Sequence, residues 1–404
     1  MLSRRGAVAL TIFAMSMSIL VMLGVEHVRQ QTKTSFASSI SGVDLIVGTR
    51  TGTINLLLYS VFRIGSATDN VSWQAYKRLS QHSSVRWSVP ISLGDSHKGY
   101  RVLGTTSQYF EHYNFGKKQA FTFNNGEKFT GIFDVVLGAH VAKQLGYQLG
   151  DKITLSHGIG STSFKNHDKS PFQVTGILNA TGTPVDKTLH VSLQGLEAVH
   201  MPFTRLNQLT QTPHIDDFKA KQLTPKSVTA ILIGLHSKMA VFSLQRKINT
   251  DNNEPLTAII PGIALAELWR TMSPFENTLR LISGLVFISS LIALSAILLS
   301  SIRERIMEVK LLRMIGAPSS FVFWLIELEA MIIAMLSTAI ALGALSLVLI
   351  LSKEIILTRY GIIIEGSILS SINKTMVFTV FLFAFFAAIP PAFIAFSGAK
   401  NSYT

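Results

Sequence analysis

Four long apolar segments limit the folds that are open to this chain of 404 residues. They lie at residues 7–25, 281–302, 330–351 and 375–396. A helix needs about 20 consecutive apolar residues to cross a bilayer, and each segment has about this length. The mean hydropathy of the chain is also positive, at +0.38. The sequence therefore predicts an integral membrane protein with four transmembrane helices rather than a soluble enzyme.

The first apolar segment predicts a helix that is retained in the mature protein. Arg4 and Arg5 precede it and Glu26 follows it. The segment is longer than the apolar part of a usual secretory signal, and no small-x-small cleavage motif precedes Glu26, so an uncleaved helix is favoured over a signal peptide. Because basic flanking residues stay on the cytoplasmic side, the two arginines predict a cytoplasmic N-terminus. With four membrane crossings, we expect the C-terminus on the same side.

The composition changes to that of a soluble domain over residues 26–277. A segment of about 250 residues can bury a core of its own and hold two lobes. A strand pattern at 85–93 and a helix pattern at 139–145 predict an α+β fold. The apolar stretch 35–64 predicts a helix close to the membrane, and the polar stretch 204–226 predicts a loop.

These patterns predict three regions in the chain. A transmembrane helix covers 1–25, and a large α+β domain at 26–277 is inserted between the first and second helices, on the side of the membrane opposite the termini. Residues 278–404 form a membrane domain with three transmembrane helices, and the charged residues 303–320 lie in it as a loop on the cytoplasmic side.

The charged loop between the second and third apolar segments has a helical pattern of its own. The spacing of three and four residues that places side chains on one helix face is followed by Ile306, Val309, Leu312, Arg313 and Gly316. Gly316 lies just before Pro318, a combination that ends helices. The loop therefore predicts a short amphipathic helix at the membrane surface.

Three separate stretches of the chain resemble one known family. The run from Arg303 to Ala317 is similar to the R-x-R-E-I-G-x-x-R-A-x-G-A signature of FtsX-like permeases, the MacB-type family of ABC transporters. The stretch LGAHVAKQLG at 137–146 resembles the L-G-x-x-x-A-x-x-L-G motif of the periplasmic core domain in the same family, and DLIVG at 44–48 resembles its D-L-V-V-G motif. The chain is thus similar to the mechanotransmission class of ABC permeases, also called type VII.

This resemblance implies a set of partners and a location. Members of the family sit in the bacterial inner membrane with both termini in the cytoplasm and a large periplasmic domain. They form a homodimer, or a heterodimer with a similar permease, and bind an ABC ATPase subunit, with or without a periplasmic adaptor. The cytoplasmic loop then docks in a groove of the ATPase, which carries the ATP and magnesium. The residues expected at this contact are Arg303, Glu304, Arg305, Glu308, Lys310, Arg313, Met314, Ile315, Gly316 and Ala317.

Several kinds of chemistry have no motif in this chain. It lacks the G-x-x-x-x-G-K-S/T motif of ATPases, the H-E-x-x-H motif of metalloproteases and the G-x-S-x-G motif of hydrolases, so we expect a permease subunit without enzymatic activity or a cofactor of its own. It has no cysteine, which excludes disulfides. The net charge of +13 is explained by basic residues that face anionic membrane lipid, and does not indicate nucleic-acid binding.

Two further groups of residues permit alternative interpretations. Glu327 and Glu329 lie at the start of the third apolar segment, where anchoring to headgroups or to Arg313 is favoured over ion coupling. A metal site is a second hypothesis, with His157 and His167 as candidate ligands. Their spacing matches no ligand pattern, so scattered surface histidines are favoured. The residues considered for this site are His97, His112, His140, His157, His167 and Asp168.

The sequence supports one main function and two alternatives. The main interpretation is a permease that exports or extracts a peptide, a lipoprotein or a small hydrophobic compound, driven by a separate ATPase. The first alternative is an FtsX-like regulator that activates a periplasmic enzyme without transport. The second alternative is a metal-linked envelope system that uses the histidines.

Overall fold

The structure is a computed structural model that describes residues 2–116, 118–157, 171–200, 223–360 and 371–400. Within these ranges, the side chains at 2–5, 157, 310, 313, 353–360, 371–373 and 398–400 are outside the description. The chain divides into two compact units. The helical unit consists of Met1–Thr32, Met272–Ile355 and Ile364–Thr404, and the α+β unit consists of Lys33–Thr271 and Ile356–Ile363.

The described residues form helices of very different length. They are α1 (Leu2–Ser38), α2 (Thr53–Leu57, followed by a π-helical turn at Leu58–Phe62), α3 (Trp73–Ser80), α4 (Gln108–His112), α5 (Ala139–Leu145), α6 (Leu193–Val199), α7 (Ala240–Asn249), α8 (Pro261–Glu304), α9 (Ile306–Met314), α10 (Ser319–Tyr360) and α11 (Ser371–Lys400). A short 3-10 helix lies at Pro184–Lys187.

The strands all lie between α1 and α8 in sequence. They are β1 (Leu45–Thr49), β2 (Val71–Ser72), β3 (Val85–His97), β4 (Tyr100–Thr105), β5 (Phe123–Gly126), β6 (Asp134–Leu137), β7 (Lys152–Ile153), β8 (Ser156–His157), β9 (Phe172–Leu178), β10 (Thr188–Ser192), β11 (Ser227–Val228), β12 (Ala230–Leu235) and β13 (Leu256–Ile259).

Four of the helices are long and apolar enough to cross a membrane. The candidate spans are Gly6–Ser38, Pro261–Glu304, Ser319–Ser352 and Lys374–Ser397. Each contains one of the four apolar segments, so the expectation of four membrane-spanning helices is confirmed by length and composition.

The helix α11 packs through small residues on one face, and the long helices expose large apolar side chains away from their shared core. On α11, Val380, Ala384, Ala388 and Ala392 are buried at intervals of four residues in a core shared with the other long helices. Small side chains let helix backbones approach closely, which is the usual basis of packing between membrane helices. Large residues such as Phe13 on α1, which is 66% exposed, point away from this core. An apolar outer surface of this kind suits lipid.

All four of these helices continue beyond their apolar segments. The helix α1 extends to Ser38, whereas the apolar segment ends at residue 25. The helix α10 extends to Tyr360, whereas the third apolar segment ends at residue 351. The apolar pattern marks the part of a helix that can sit in lipid, but polar residues with good helix propensity, such as Gln30 and Gln31, continue the helix past that point.

The α+β unit contains a large mixed sheet with the strand order β13-β1-β12-β3-β4-β10-β6-β9-β5. The pairs β10–β4 and β6–β9 are parallel, and the pairs of β3 with β12 and β4 are antiparallel. The 13-residue strand β3 joins two halves of the sheet. Its first part pairs with β12, and its last part, from Ser92 onward, pairs with β4 in a ladder that contains a bulge between Leu93 and Ser96.

Local sequence signals in this unit agree with the structure. The side chain of Ser72 accepts a hydrogen bond from the Ala75 amide and caps α3. The predicted strand 85–93 lies within β3, and the predicted helix 139–145 is α5, which ends at Gly146 with a φ of 69°. The α+β fold of the large domain is therefore confirmed.

The apolar stretch 35–64 predicts a helix, and only part of the stretch is helical. Residues Thr53–Phe62 form α2 and its π-helical turn, whereas Leu45–Thr49 form β1, an interior strand in which all five residues are buried. A strand buried on both faces has no alternation of polar and apolar residues, so its pattern cannot be distinguished from that of a buried helix. Most of the loop predicted at 204–226 lies outside the described residues.

Candidate functional site

The segment between α8 and α10 forms a compact turn around the short helix α9. The backbone amide of Arg305 donates to the carbonyls of Ser301 and Ile302, at 3.2 and 3.1 Å, and this marks the break between α8 and α9. Residues 303–317 are called the coupling segment below. The predicted short helix in this segment is confirmed by α9.

A glycine in the left-handed region ends α9. Gly316 has a φ of 101°, and the amide of Ala317 donates to the carbonyl of Leu312 at 3.0 Å. This bond spans five residues and, with glycine one position before it, is the Schellman arrangement that satisfies the last carbonyls of a helix. Pro318 then prevents the helix from continuing, and α10 begins at Ser319. The expected helix stop at Gly316 is thus confirmed.

One face of α9 packs on the helical unit. Val309 is half-buried against the apolar core of the long helices, and α9 contacts α11. Leu312 on the same face is also half-buried. The position of α9 is therefore fixed by packing as well as by its two ends.

The opposite face of α9 is an exposed apolar stripe. Met307, Leu311, Met314 and Ile315 are 74%, 55%, 74% and 77% exposed. Their spacing of four, three and one residues places them on one helix face. Met314 and Ile315 belong to the contact residues predicted from the family signature. Met307 and Leu311 do not, although their spacing is visible in the sequence. Exposed stripes of large apolar side chains commonly mark contact surfaces.

Charged residues surround this stripe. Arg303, Glu304 and Glu308 are exposed, and Arg305 lies 3.9 Å from Glu308 in an ion pair between solvent-accessible groups. Such an exposed pair contributes little to stability, so these charges remain able to pair with a partner. The side chains of Lys310 and Arg313, which were also predicted to belong to the site, lie outside the described residues.

The two acidic residues at the start of α10 have different environments. Glu327 is 2% exposed, and within the described part of the chain neither of its carboxylate oxygens has a hydrogen-bond partner. Glu329 is half-buried and lines a cavity of about 230 Å³ together with Glu304. The position of Glu329 is compatible with the anchoring role, whereas the carboxylate of Glu327 does not reach the surface of the helical unit.

The structure gives separate environments to the histidines that it describes. The ring of His97 contacts the Thr154 carbonyl at 2.7 Å and the Tyr147 hydroxyl at 2.9 Å, and burial lowers its pKa. The ring of His112 stacks on Trp87. Among the residues with a described placement, no three metal-ligating side chains come together. The His167 position and the His157 side chain lie outside the described residues.

Comparison with known proteins supplies a family match for part of the chain. The family model described as the MacB-like periplasmic core domain matches residues 7–250, more than half of the chain. The matched range includes most of α1 and β1 to β12 and ends before the coupling segment. A similar solved structure is the periplasmic region of MacB from Actinobacillus actinomycetemcomitans, which is 14% identical over 58% of this chain and 94% of that chain, with a TM-score of 0.35. No curated protein matches the chain.

Proposed function

Because the chain belongs to the MacB/FtsX-like family of ABC transporter permeases, we propose that it transmits ATP-driven motion from a separate ATPase to its α+β unit. The chain itself neither hydrolyses ATP nor holds a cofactor in this scheme. ATP and magnesium bind to the partner ATPase. The observation that carries the proposal is the exposed apolar stripe on α9, which lies between two membrane-spanning helices.

The coupling segment has the features of a protein contact surface. The stripe of Met307, Leu311, Met314 and Ile315 supplies apolar area that a groove on the ATPase can bury, and fully burying a side chain of this size contributes about 1.5–3 kcal/mol. Around this centre, Arg303, Glu304 and Glu308 supply charges that select the partner and its orientation. An apolar centre with a charged rim is the common composition of protein interfaces.

The path for the motion consists of two continuous helices. The helices α1 (Leu2–Ser38) and α8 (Pro261–Glu304) each contain residues of both units. The helix α8 also ends directly at the coupling segment. A displacement of this segment is therefore delivered to the end of a helix whose other end belongs to the α+β unit.

The proposed orientation puts the termini and the coupling segment in the cytoplasm and the α+β unit in the periplasm. Arg4, Arg5, Arg303 and Arg305 then lie on the cytoplasmic side, in agreement with the positive-inside rule. In this arrangement the α+β domain is inserted between the first and second membrane-spanning helices. We place the protein in the inner membrane, as a dimer with itself or with a similar permease.

The proposed transport reaction is export or extraction of a peptide, a lipoprotein or a small hydrophobic compound. The domain outside the membrane would engage this substrate, or a periplasmic adaptor, when the motion reaches it. An FtsX-like regulator would use the same coupling segment and differ only in what the α+β unit contacts. Proteins that co-purify with the full chain separate the two: an adaptor or an outer-membrane channel supports transport, and a cell-wall hydrolase supports regulation.

The orientation can be tested by labelling, because the chain has no cysteine. Met314 in the coupling segment and Met239 in the α+β unit are 74% and 90% exposed. We expect a membrane-impermeant maleimide to label the Met239→Cys variant in intact spheroplasts and the Met314→Cys variant only in inverted vesicles. Labelling of the Met314→Cys variant from outside would refute the proposal.

The docking role can be tested by placing a charge in the stripe. We expect Met307→Asp and Leu311→Asp each to reduce binding of the ATPase to the full chain in lipid nanodiscs. The matched control is Met239→Asp, at an exposed methionine of the α+β unit. Unchanged ATPase binding in both stripe variants would contradict the proposed docking surface.

A further inference from the structure

Four charged residues form a continuous chain of ion pairs between α1 and α8. Glu26 and Arg29 belong to α1, and Glu276 and Arg280 belong to α8; together they are called the charge clasp below. Arg280 donates to both carboxylate oxygens of Glu26, from Nε at 3.2 Å and from Nη2 at 3.3 Å. The clasp joins residues that are 254 positions apart in sequence.

Arg29 connects the two acidic residues of the clasp. Its Nε donates to Glu26 Oε2 at 3.1 Å, its Nη2 donates to Glu26 Oε1, and its Nη1 donates to Glu276 Oε2 at 3.2 Å. Both arginines therefore grip Glu26 in the two-pronged geometry that makes arginine–carboxylate pairs strong and directional. The order of charges is Glu276, Arg29, Glu26, Arg280, so acidic and basic groups alternate.

Burial makes the carboxylate of Glu26 dependent on these partners. Glu26 is 4% exposed, although its partner Arg280 keeps 47% of its side chain accessible. A buried carboxylate without compensating hydrogen bonds is strongly unfavourable, and the loss of one partner from a buried pair destabilises far more than the loss of an exposed pair. If α1 slid along α8 by one helical turn, Glu26 would lose its bonds to Arg280.

The clasp sits at one end of both apolar segments. Glu26 directly follows the segment 7–25, and Arg280 directly precedes the segment 281–302. The coupling segment lies at the opposite end of the second one. Glu26 and Arg280 also line a groove of about 300 Å³ whose other walls include Met22, Val25, Gly284 and Met376.

The charges of the clasp balance, which distinguishes it from a ligand site. Two carboxylates and two guanidinium groups leave no net charge to attract an ion into the groove. The geometry instead satisfies each group by a neighbour on the same or the other helix. The arrangement is suited to holding two helices in register.

We propose that the charge clasp locks α1 to α8, so that the two helices move as one body when motion arrives from the coupling segment. This inference rests on the proposed function. Glu26, Arg29 and Arg280 are then positioning residues: they act through the helices and contact neither ATP nor substrate. Without the lock, α8 would slide past α1, and only part of the displacement of α8 would reach the α+β unit.

The test measures the register of the two helices directly. Spin labels are placed at Val28→Cys on α1 and Leu279→Cys on α8. Each position lies between the two clasp residues of its helix, and both native side chains are about half exposed. The full chain is placed in nanodiscs with its ATPase, and the distance distribution between the labels is recorded without nucleotide and with ATP and magnesium under non-hydrolysing conditions. We expect a narrow distribution that does not shift with nucleotide.

Two variants then open the clasp to different degrees. Glu26→Gln removes the charge that both arginines grip, and we expect a broadened distribution that shifts with nucleotide, together with loss of coupling by about fivefold or more. Coupling is measured as the nucleotide-dependent movement of the α+β unit per ATP hydrolysed. Arg280→Lys keeps the charge but not the two-pronged geometry, and we expect a smaller change. Glu267→Gln, at an exposed acidic residue of the same helix α8, is the control.

The outcomes separate this inference from the function on which it rests. A shift of the label distance with nucleotide in the unaltered clasp would overturn the lock, and so would Glu26→Gln with a narrow distribution and normal coupling. If nucleotide has no effect anywhere in the complex, the proposed function fails. In that case the label distances recorded without nucleotide still test the lock. A broader distribution in the Glu26→Gln variant than in the unaltered clasp supports it, and equal widths overturn it.

Discussion

Replacing Gly316 is expected to disrupt the coupling segment through backbone conformation alone. The φ of 101° at this position lies in a region that residues with a Cβ rarely adopt. A Cβ built at Gly316 meets no atom of the described residues within 4 Å, so crowding contributes nothing to the effect. The expected cost is therefore the conformational one, about 1–3 kcal/mol for a residue with a side chain.

This cost can be converted into an effect on ATPase binding. A difference of about 1–2 kcal/mol changes a population ratio by roughly 5–30-fold. We assume that the ATPase binds only those molecules in which α9 ends in the Schellman arrangement at Gly316. The apparent affinity of the chain for the ATPase then falls in proportion to the fraction of molecules that lose this arrangement. We expect affinity to decrease in the order glycine, asparagine, alanine, valine, because asparagine tolerates positive φ better than other residues and β-branched side chains tolerate it worst.

The assay is titration of the ATPase against the full chain in nanodiscs, with Gly316→Asn, Gly316→Ala and Gly316→Val. Gly343→Ala is the matched control, because Gly343 lies inside α10, its added Cβ also meets nothing within 4 Å, and its backbone is helical. Alanine in a helix is favourable relative to glycine, so the control is expected to retain full affinity. Equal affinity of the Gly316→Val variant and the native chain would refute the reasoning.

Three further predictions concern the α+β unit and are tested by thermal or denaturant unfolding. Ser72→Ala removes the cap of α3 and is expected to lower the free energy of unfolding by about 1–2 kcal/mol. Gly234→Ala places a Cβ 2.1 Å from Nε1 of the buried Trp87 ring and is expected to cost about 1–3 kcal/mol through overpacking. Asp95, 3.7 Å from His200, raises the pKa of that histidine. The stabilisation from this pair is therefore complete below the unfolded pKa of about 6.5 and is lost as the pH rises through the folded pKa.

Each of these predictions has a control on the same unit. Ser243→Ala removes an exposed serine from within α7 and is expected to change stability little. Gly52→Ala adds a Cβ that meets nothing within 4 Å, in contrast to Gly234. His200→Gln is expected to flatten the dependence of stability on pH above the unfolded histidine pKa of about 6.5. A pH profile that is the same in the native chain and in this variant would show that the ion pair does not contribute.

Signals that act within a few residues predicted the coupling segment well. The spacing of Ile306, Val309 and Leu312, together with Gly316 and Pro318, was sufficient for the helix and its end, because both depend on neighbouring residues. The same pattern did not reveal which face of α9 is exposed, because that depends on packing against α11. Docking of the ATPase and the roles of the individual charged residues remain predictions.

Features that depend on distant residues could not be predicted. Glu26 and Arg280 were visible only as charges at the ends of two apolar segments, and no local pattern indicates that they pair across 254 positions. The strand β1 could not be distinguished from a helix in the sequence. It lies between β12 and β13 with all five residues buried, so it lacks the alternation of polar and apolar residues by which exposed strands are recognised. The burial of Glu327 likewise depends on neighbouring helices rather than on its own sequence context.

The shared strand β3 has a consequence for how the α+β unit resists unfolding. The first part of β3 forms a ladder with β12 and its last part forms a ladder with β4, so the strand belongs to both halves of the sheet. If β3 detached, both halves would lose backbone hydrogen bonds. Local openings should then begin at the outermost strands β13 and β5 and reach the middle last. Amide protons of β3 at residues such as Val89 and Ile91 are accordingly expected to exchange with solvent more slowly than those of β5, and at one common rate set by global unfolding.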